Sequence, residues 1–102
     1  MKNITQQEWR ELLQNDHQAV ILDVRTPEEQ AAGIIPNAIC LDIFKPDEFL
    51  SELERMDMSK NYYVYCKSGG RSANACMILE QMGAKTTYNL LGGISLWEGE
   101  LI

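Results

Sequence analysis

Residues 62–79 read Tyr-Tyr-Val-Tyr-Cys-Lys-Ser-Gly-Gly-Arg-Ser-Ala-Asn-Ala-Cys-Met-Ile-Leu, and no other segment constrains the fold as tightly. A β-branched and aromatic strand runs into a glycine turn, and the turn runs straight into a helix. Cys66 stands where the strand ends, and Arg71 and Ser72 stand where the helix begins. In open α/β sheets the crevice beyond the carboxyl ends of the strands is the usual ligand site. A helix N-terminus offers unpaired N–H groups and the positive end of a dipole, both of which favour anions. Gly69 and Gly70 allow backbone conformations that turn several N–H groups toward one point. Lys67 and Arg71 add formal positive charge. Each of these effects lowers a thiol from its free pKa of roughly 8.5 and favours the reactive thiolate. Free cysteines are commonly buried and inert, and a Gly-Gly turn can be a mere connector. Position, glycines and cations together set Cys66 apart as a candidate nucleophile in an anion cradle.

The rest of the chain supplies the sheet. Thr5-Gln6-Gln7-Glu8 is a capping box that opens a helix through about residue 14, with Trp9, Leu12 and Leu13 on one face. A short strand over Lys2 to Ile4 precedes it, and Asn15-Asp16-His17 is a turn. Ala19-Val20-Ile21-Leu22-Asp23-Val24 is a continuous apolar run of strand length, the pattern of a strand covered on both faces. Thr26-Pro27-Glu28-Glu29 is a second capping box with proline at the first helical position, and its short helix stops at Gly33. Pro36-Asn37 turns the chain into a strand from Ala38 to Asp42. Helix signals return at Pro46-Asp47-Glu48 and continue through Phe49, Leu50, Leu53 and Met56. After the strand at Tyr62 to Tyr65, a helix from about Arg71 ends ahead of Gly83. Thr86 to Leu91 is the last strand, and after Gly92-Gly93 a final helix carries Leu96 and Trp97, with Trp97 seating it by packing. Strands alternating with helices predict a three-layer α/β/α fold whose central, mainly parallel sheet of about five strands is flanked by helices on both faces. At 102 residues the chain makes one domain, residues 1–102, able to bury a core without staples.

Charge and cysteine usage narrow the function. A net charge of −6 argues against nucleic acid, which needs a basic footprint, and makes the island at Lys67 and Arg71 stand out. Cys40, Cys66 and Cys76 are odd in number and lack Cys-x-x-Cys spacing, so neither a disulfide framework nor a metal site is expected. Cys40 within its apolar strand, and Cys76 on a helix face with Ala75, Leu79 and Met82, are expected in the core. Met1 to Gln7 lacks an apolar signal core, and no run reaches membrane-spanning length. A cytoplasmic location is therefore expected, although removal of a leader from a longer precursor would leave the same chain. The single histidine, His17, precedes the first long strand and belongs at the opposite edge of the sheet, as a solvated turn residue. No Cys–His catalytic pair is expected.

Cys66-Lys67-Ser68-Gly69-Gly70-Arg71-Ser72 after a Tyr/Val strand resembles the active-site loop of the rhodanese (sulfurtransferase) family. Asp23-Val24-Arg25-Thr26-Pro27-Glu28-Glu29 followed by Gly33-Ile34-Ile35-Pro36-Asn37-Ala38 looks like that family's first signature segment, and Gly92-Gly93 with Trp97 like its last. The three motifs occur in family order over roughly residues 19 to 99, nearly the whole chain. The resemblance implies a rhodanese-like fold and a sulfurtransferase that works through a Cys66 persulfide. It implies a small anionic sulfur donor such as thiosulfate, and cyanide, a thiol or a protein thiol as acceptor. No cofactor, nucleic acid or membrane partner is expected, and a monomer or weak dimer is expected. The N–H groups of Lys67 through Ser72 would hold the persulfide and the donor oxyanion. Arg71 would offer a guanidinium fork to thiosulfate, or bond carbonyls or an acid to fix the loop. Ser72 would donate to the thiolate or cap the helix. Lys67 stands where family members choose their donor, or is a solvated charge. Asp23 and Arg25 resemble the family's Asp-x-Arg pair that supports the loop. For Arg25 the alternative is a surface ion pair worth roughly 0–1 kcal/mol.

Two other classes compete. Cysteine-dependent phosphatases and arsenate reductases carry a related loop, but the phosphatase spacing is Cys-x₅-Arg with histidine just before the cysteine. Here the spacing is Cys-x₄-Arg, Tyr65 stands before the cysteine, and the smaller ring suits a sulfur atom in the resembling family. Some rhodanese-like domains are non-catalytic interaction modules, which typically lose the cysteine or the loop glycines, and this chain keeps both. An acidic helix bearing Asp47, Glu48, Glu52 and Glu54 would suit a basic partner, or is simply solvated. Cys76 lies ten residues beyond Cys66, carried along the helix at about 1.5 Å per residue, which suits packing better than a resolving thiol.

Overall fold

Ten elements alternate along the chain in a computed structural model that describes all of residues 1–102. They are β1 (Lys2–Ile4), α1 (Gln6–Asn15), β2 (Ala19–Asp23), α2 (Pro27–Ala31), β3 (Ile39–Cys40), α3 (Pro46–Glu54), β4 (Asn61–Tyr65), α4 (Gly70–Gln81), β5 (Thr86–Leu90) and a closing 3₁₀ turn, Gly93–Leu96. The strands form one sheet in the order β1-β5-β4-β2-β3, and every pairing is parallel. Parallel neighbours need crossovers, so the connections become the layers on either face.

β4 is the centre of the sheet, and its residues Tyr62, Tyr63, Val64 and Tyr65 are all fully buried. Side chains alternate across a strand. Tyr62 and Val64 therefore face α3 and α4, in a core with Leu22, Phe49, Leu53, Ala75, Cys76 and Leu79. Tyr63 and Tyr65 face α1 on the other side, packed around Trp9 with Ile4, Ile21, Ile35 and Leu90. The same alternation sends Cys66 to the α4 side. Both predicted capping boxes form, Thr5 with Glu8 and Thr26 with Glu29. His17 is exposed in the turn before β2, at the end of the sheet away from Cys66.

Three expectations need correction. The predicted strand Ala38–Asp42 shrinks to Ile39–Cys40, because the chain leaves the sheet as soon as it passes the end of β2. Leu41 N–H still bonds the Asp23 carbonyl at 2.9 Å, and the Asp42 carboxylate then accepts from Phe44 N at 2.9 Å to start a turn. Cys40 is consequently exposed on an edge strand, not in the core. Its thiol is pushed up by partial burial and by Asp23 beside it, so exposure does not make it reactive. The final helix is only the 3₁₀ turn, and Trp97 lies beyond it in extended backbone. Its ring packs edge-on against Trp9, with centroids 6.5 Å apart. Cys76 is buried as expected, and burial pushes its thiol up to about 12, which keeps it protonated and inert. No helix is long and apolar enough to cross a membrane.

Candidate active site

The end of β4 and the start of α4 are joined by Cys66 to Gly69, and the glycine decides the path. Gly69 is the residue before the helix, with φ +118°, a region L side chains rarely adopt. That conformation folds the loop back, so that Gly69 N–H donates to Cys66 Sγ at 3.1 Å. The Ser72 hydroxyl lies 3.3 Å from the same sulfur. Gly70 already belongs to the first turn of α4. Lys67 and Ser68 are exposed at the rim, whereas Cys66 is only 1 % exposed, with its sulfur on the floor of the loop. Burial is the largest single effect on the thiol and raises it. The Ser72 hydroxyl and the backbone N–H groups of Ser72, Gly69 and Ser68 act together against burial and hold the thiol below its ordinary value. Ser72 thus faces the sulfur, a role the sequence left open beside helix capping.

The closing 3₁₀ turn anchors the other side of the loop. Ile94 N–H donates to the Cys66 carbonyl at 3.0 Å, and Ser95 N–H and Oγ–H donate to the Lys67 carbonyl at 3.1 and 2.8 Å. With its carbonyls held outward, the loop keeps its N–H groups turned in. Gly93 makes this approach possible, since a Cβ there would meet the Cys66 and Lys67 carbonyl oxygens at 2.5 Å.

Arg71 reaches across the mouth to Glu29 of α2 and forms two parallel bonds, at 2.7 and 2.9 Å. Its guanidinium also lies over the exposed Phe44 ring, 5.4 Å from the centroid. Arg71, foremost, holds the Glu29 carboxyl down at about 2. Of the two roles open for Arg71, bonding an acid is the one occupied here.

Asp23 and Arg25 are not a surface pair. Asp23 is 0 % and Arg25 4 % exposed. Arg25 Nε and Nη2 donate to the two Asp23 oxygens at 2.9 and 2.6 Å. Arg25 Nη2 also reaches the Gly33 carbonyl at 2.8 Å, which ties β2 to the end of α2. The Tyr65 hydroxyl donates to Asp23 Oδ2 at 2.7 Å and accepts from Ile35 N–H at 3.0 Å. The pair therefore braces the residue next to Cys66, from the opposite face of the sheet, and does not touch the sulfur. No three His, Cys, Asp or Glu side chains gather as a metal site.

Four supporting residues escaped the sequence reading. Glu29 was legible only as part of a capping box. Gly93 and Ser95 act through backbone approach. Asn89 is a buried amide that bonds Ser72 and Gly69, and its only signal was an amide, poorly suited to strands, among the threonines, tyrosine and leucine of β5.

Residues 5–100 match the Rhodanese-like domain family. The Bacillus subtilis protein YtwF is 36% identical over 100 residues, covering 98% of this chain and 93% of the relative. A protein of Allochromatium vinosum named a sulfurtransferase is 36% identical over 85 residues, 83% of this chain and 77% of its own length. The crystal structure of a rhodanese-like domain protein from Staphylococcus aureus superposes with a TM-score of 0.85 at 36% identity, over 100% of this chain and 97% of that one.

Proposed function

The chain belongs to the rhodanese-like domain family, whose members include named sulfurtransferases, and from that membership and the loop around Cys66 we propose that it transfers sulfane sulfur through a Cys66 persulfide. The observation that carries the proposal is geometric: the Cys66 sulfur lies on the floor of the loop with Gly69 N–H at 3.1 Å and the Ser72 hydroxyl at 3.3 Å, donors that favour its thiolate.

The Cys66 thiolate attacks the outer sulfur of a donor such as thiosulfate. The new bond joins Sγ to that sulfur, the donor's S–S bond breaks, and sulfite leaves with the electron pair. An acceptor thiolate or cyanide then attacks the outer sulfur, and the Cys66 thiolate leaves. Neither leaving group needs a proton at the moment it departs, which agrees with a lone histidine far from the loop. The N–H groups of Lys67 to Ser72 cradle the persulfide anion, and Lys67, exposed on the rim and in no ion pair, supplies positive charge at the mouth through which a small anion enters, while Arg71 is already matched by Glu29. Cys40 ends β3 on the face opposite Cys66, and Cys76 is inert, so the acceptor thiol comes from another molecule.

Intact-mass spectrometry after incubation with thiosulfate tests the reading. A gain of one sulfur atom, reversed by a thiol and absent in Cys66→Ser, is the expected result. No adduct with thiosulfate, a polysulfide or a protein persulfide would sink it and favour a binding module, whose partner would still be captured by Cys66→Ser.

A further inference from the structure

Ser72 carries one hydroxyl hydrogen, and two buried acceptors compete for it. Its Oγ lies 2.5 Å from Asn89 Oδ1 and 3.3 Å from Cys66 Sγ. The Asn89 amide has only one orientation open to it. Its other end sits 3.1 Å from the Gly69 carbonyl, which can only accept, and 3.0 Å from Asn3 Oδ1, so the nitrogen points there and the oxygen faces Ser72. In the thiol state the Ser72 hydrogen therefore goes to Asn89, and Cys66 S–H donates to Ser72 Oγ. When the thiol proton is released to solvent the sulfur becomes an acceptor, and the Ser72 hydrogen is the nearest side-chain donor.

We propose that Asn89 is a positioning residue that sets the acidity of Cys66 through the Ser72 hydroxyl, holding its hydrogen in the resting thiol and yielding it to the thiolate. This rests on the reading of Cys66 as the nucleophile. Turning Ser72 toward sulfur leaves a buried Asn89 oxygen without that donor, so the resting bond opposes ionisation. Once a sulfur has been loaded, Sγ carries no hydrogen and the hydroxyl is free to stay turned toward it. Asn89 also bonds the Gly69 carbonyl, one peptide unit from the N–H that faces Sγ. The charges around the loop are Arg71 of α4 with Glu29 of α2 across it, Lys67 on the rim, and the buried Asp23–Arg25 pair at the end of β2. None of them hydrogen-bonds Ser72 or Asn89, so the amide acts on the sulfur by handling one hydrogen.

The test follows the ultraviolet absorbance of the Cys66 thiolate against pH, in a Cys40→Ser background and with Cys66→Ser as blank. Asn89→Leu keeps the size of the side chain and frees the Ser72 hydrogen. Its ionisation midpoint is expected to fall by about half a unit to one unit, a threefold to tenfold rise in thiolate at low pH, the size of one hydrogen bond. The same change in a Ser72→Ala background is expected to move the midpoint by much less, by only what the lost Gly69 contact contributes, whereas a merely structural role for Asn89 would move it equally in both backgrounds. Asn89→Asp keeps the acceptor oxygen and adds charge, and is expected to move the midpoint up, so a Leu variant that fails to fold leaves the proposal testable. A midpoint unmoved in the variants that fold, or moved equally without the Ser72 hydroxyl, overturns it. Titration needs no donor or acceptor, so its outcome is separate from whether the protein loads sulfur from thiosulfate.

Discussion

Three glycines around the loop separate two reasons for being glycine, conformational freedom and close approach. Gly92 and Gly93 both have positive φ, +75° and +56°, so alanine at either costs about 1–2 kcal/mol of backbone strain. They differ in what a Cβ would meet. At Gly92 it meets the Leu96 side chain at 2.2 Å, and Leu96 is 63 % exposed and can swing away. At Gly93 it meets the Cys66 and Lys67 carbonyl oxygens at 2.5 Å, and ordinary contact begins at 3.4 Å, so backbone must part by 0.9 Å. That parting breaks the three bonds from Ile94 and Ser95 to the loop, each worth about 0.5–1.5 kcal/mol. Gly93→Ala should therefore cost about 3–5 kcal/mol, against about 1–2 for Gly92→Ala. Gly70, helical and with nothing within 4 Å of its Cβ position, should gain up to about 1 kcal/mol as alanine. Urea unfolding reads these directly. At a slope of about 2 kcal/mol per molar, the Gly93→Ala midpoint falls by about 1.5–2.5 M. Sulfur loading should fall by about a hundredfold in Gly93→Ala, since the carbonyl that moves belongs to Cys66. Equal losses at Gly92 and Gly93 would refute the close-approach argument and leave φ alone as the reason.

Two further predictions concern the braces. Tyr65→Phe removes a hydroxyl that serves Asp23 and the buried Ile35 N–H, and should lower stability by about 1–3 kcal/mol in urea unfolding. Sulfur loading should survive, because that hydroxyl is on the opposite face from the sulfur, and an unchanged urea midpoint would refute the brace. Glu29 has its carboxyl pulled from 4.5 to about 2 chiefly by Arg71, so its contribution is present above pH 4.5 and lost as pH falls toward 2. Both side chains are partly exposed and screened, which holds the pair to about 1 kcal/mol. Wild type should exceed Glu29→Gln by that amount at pH 6 and by little at pH 2.5, and a gap that does not change with pH would contradict the assignment.

The sequence by itself determined the elements and their order. Capping boxes at Thr5 and Thr26, apolar runs at 19–24 and 62–65, and the glycine turn after Cys66 are local signals, written in residues that touch within a few positions. They also placed Cys66 at a strand end facing a helix N-terminus. Only the tertiary structure decided which groups meet across the chain. Whether Cys40 is buried depends on β3 being a two-residue edge, and the last helix shortened because Ile94 and Ser95 spend their N–H groups on the loop. Arg71 finds Glu29 forty-two positions away, and Asn89 finds Ser72 seventeen away. Such pairings arise from parallel strand order and crossover packing, and neither leaves a trace in local periodicity.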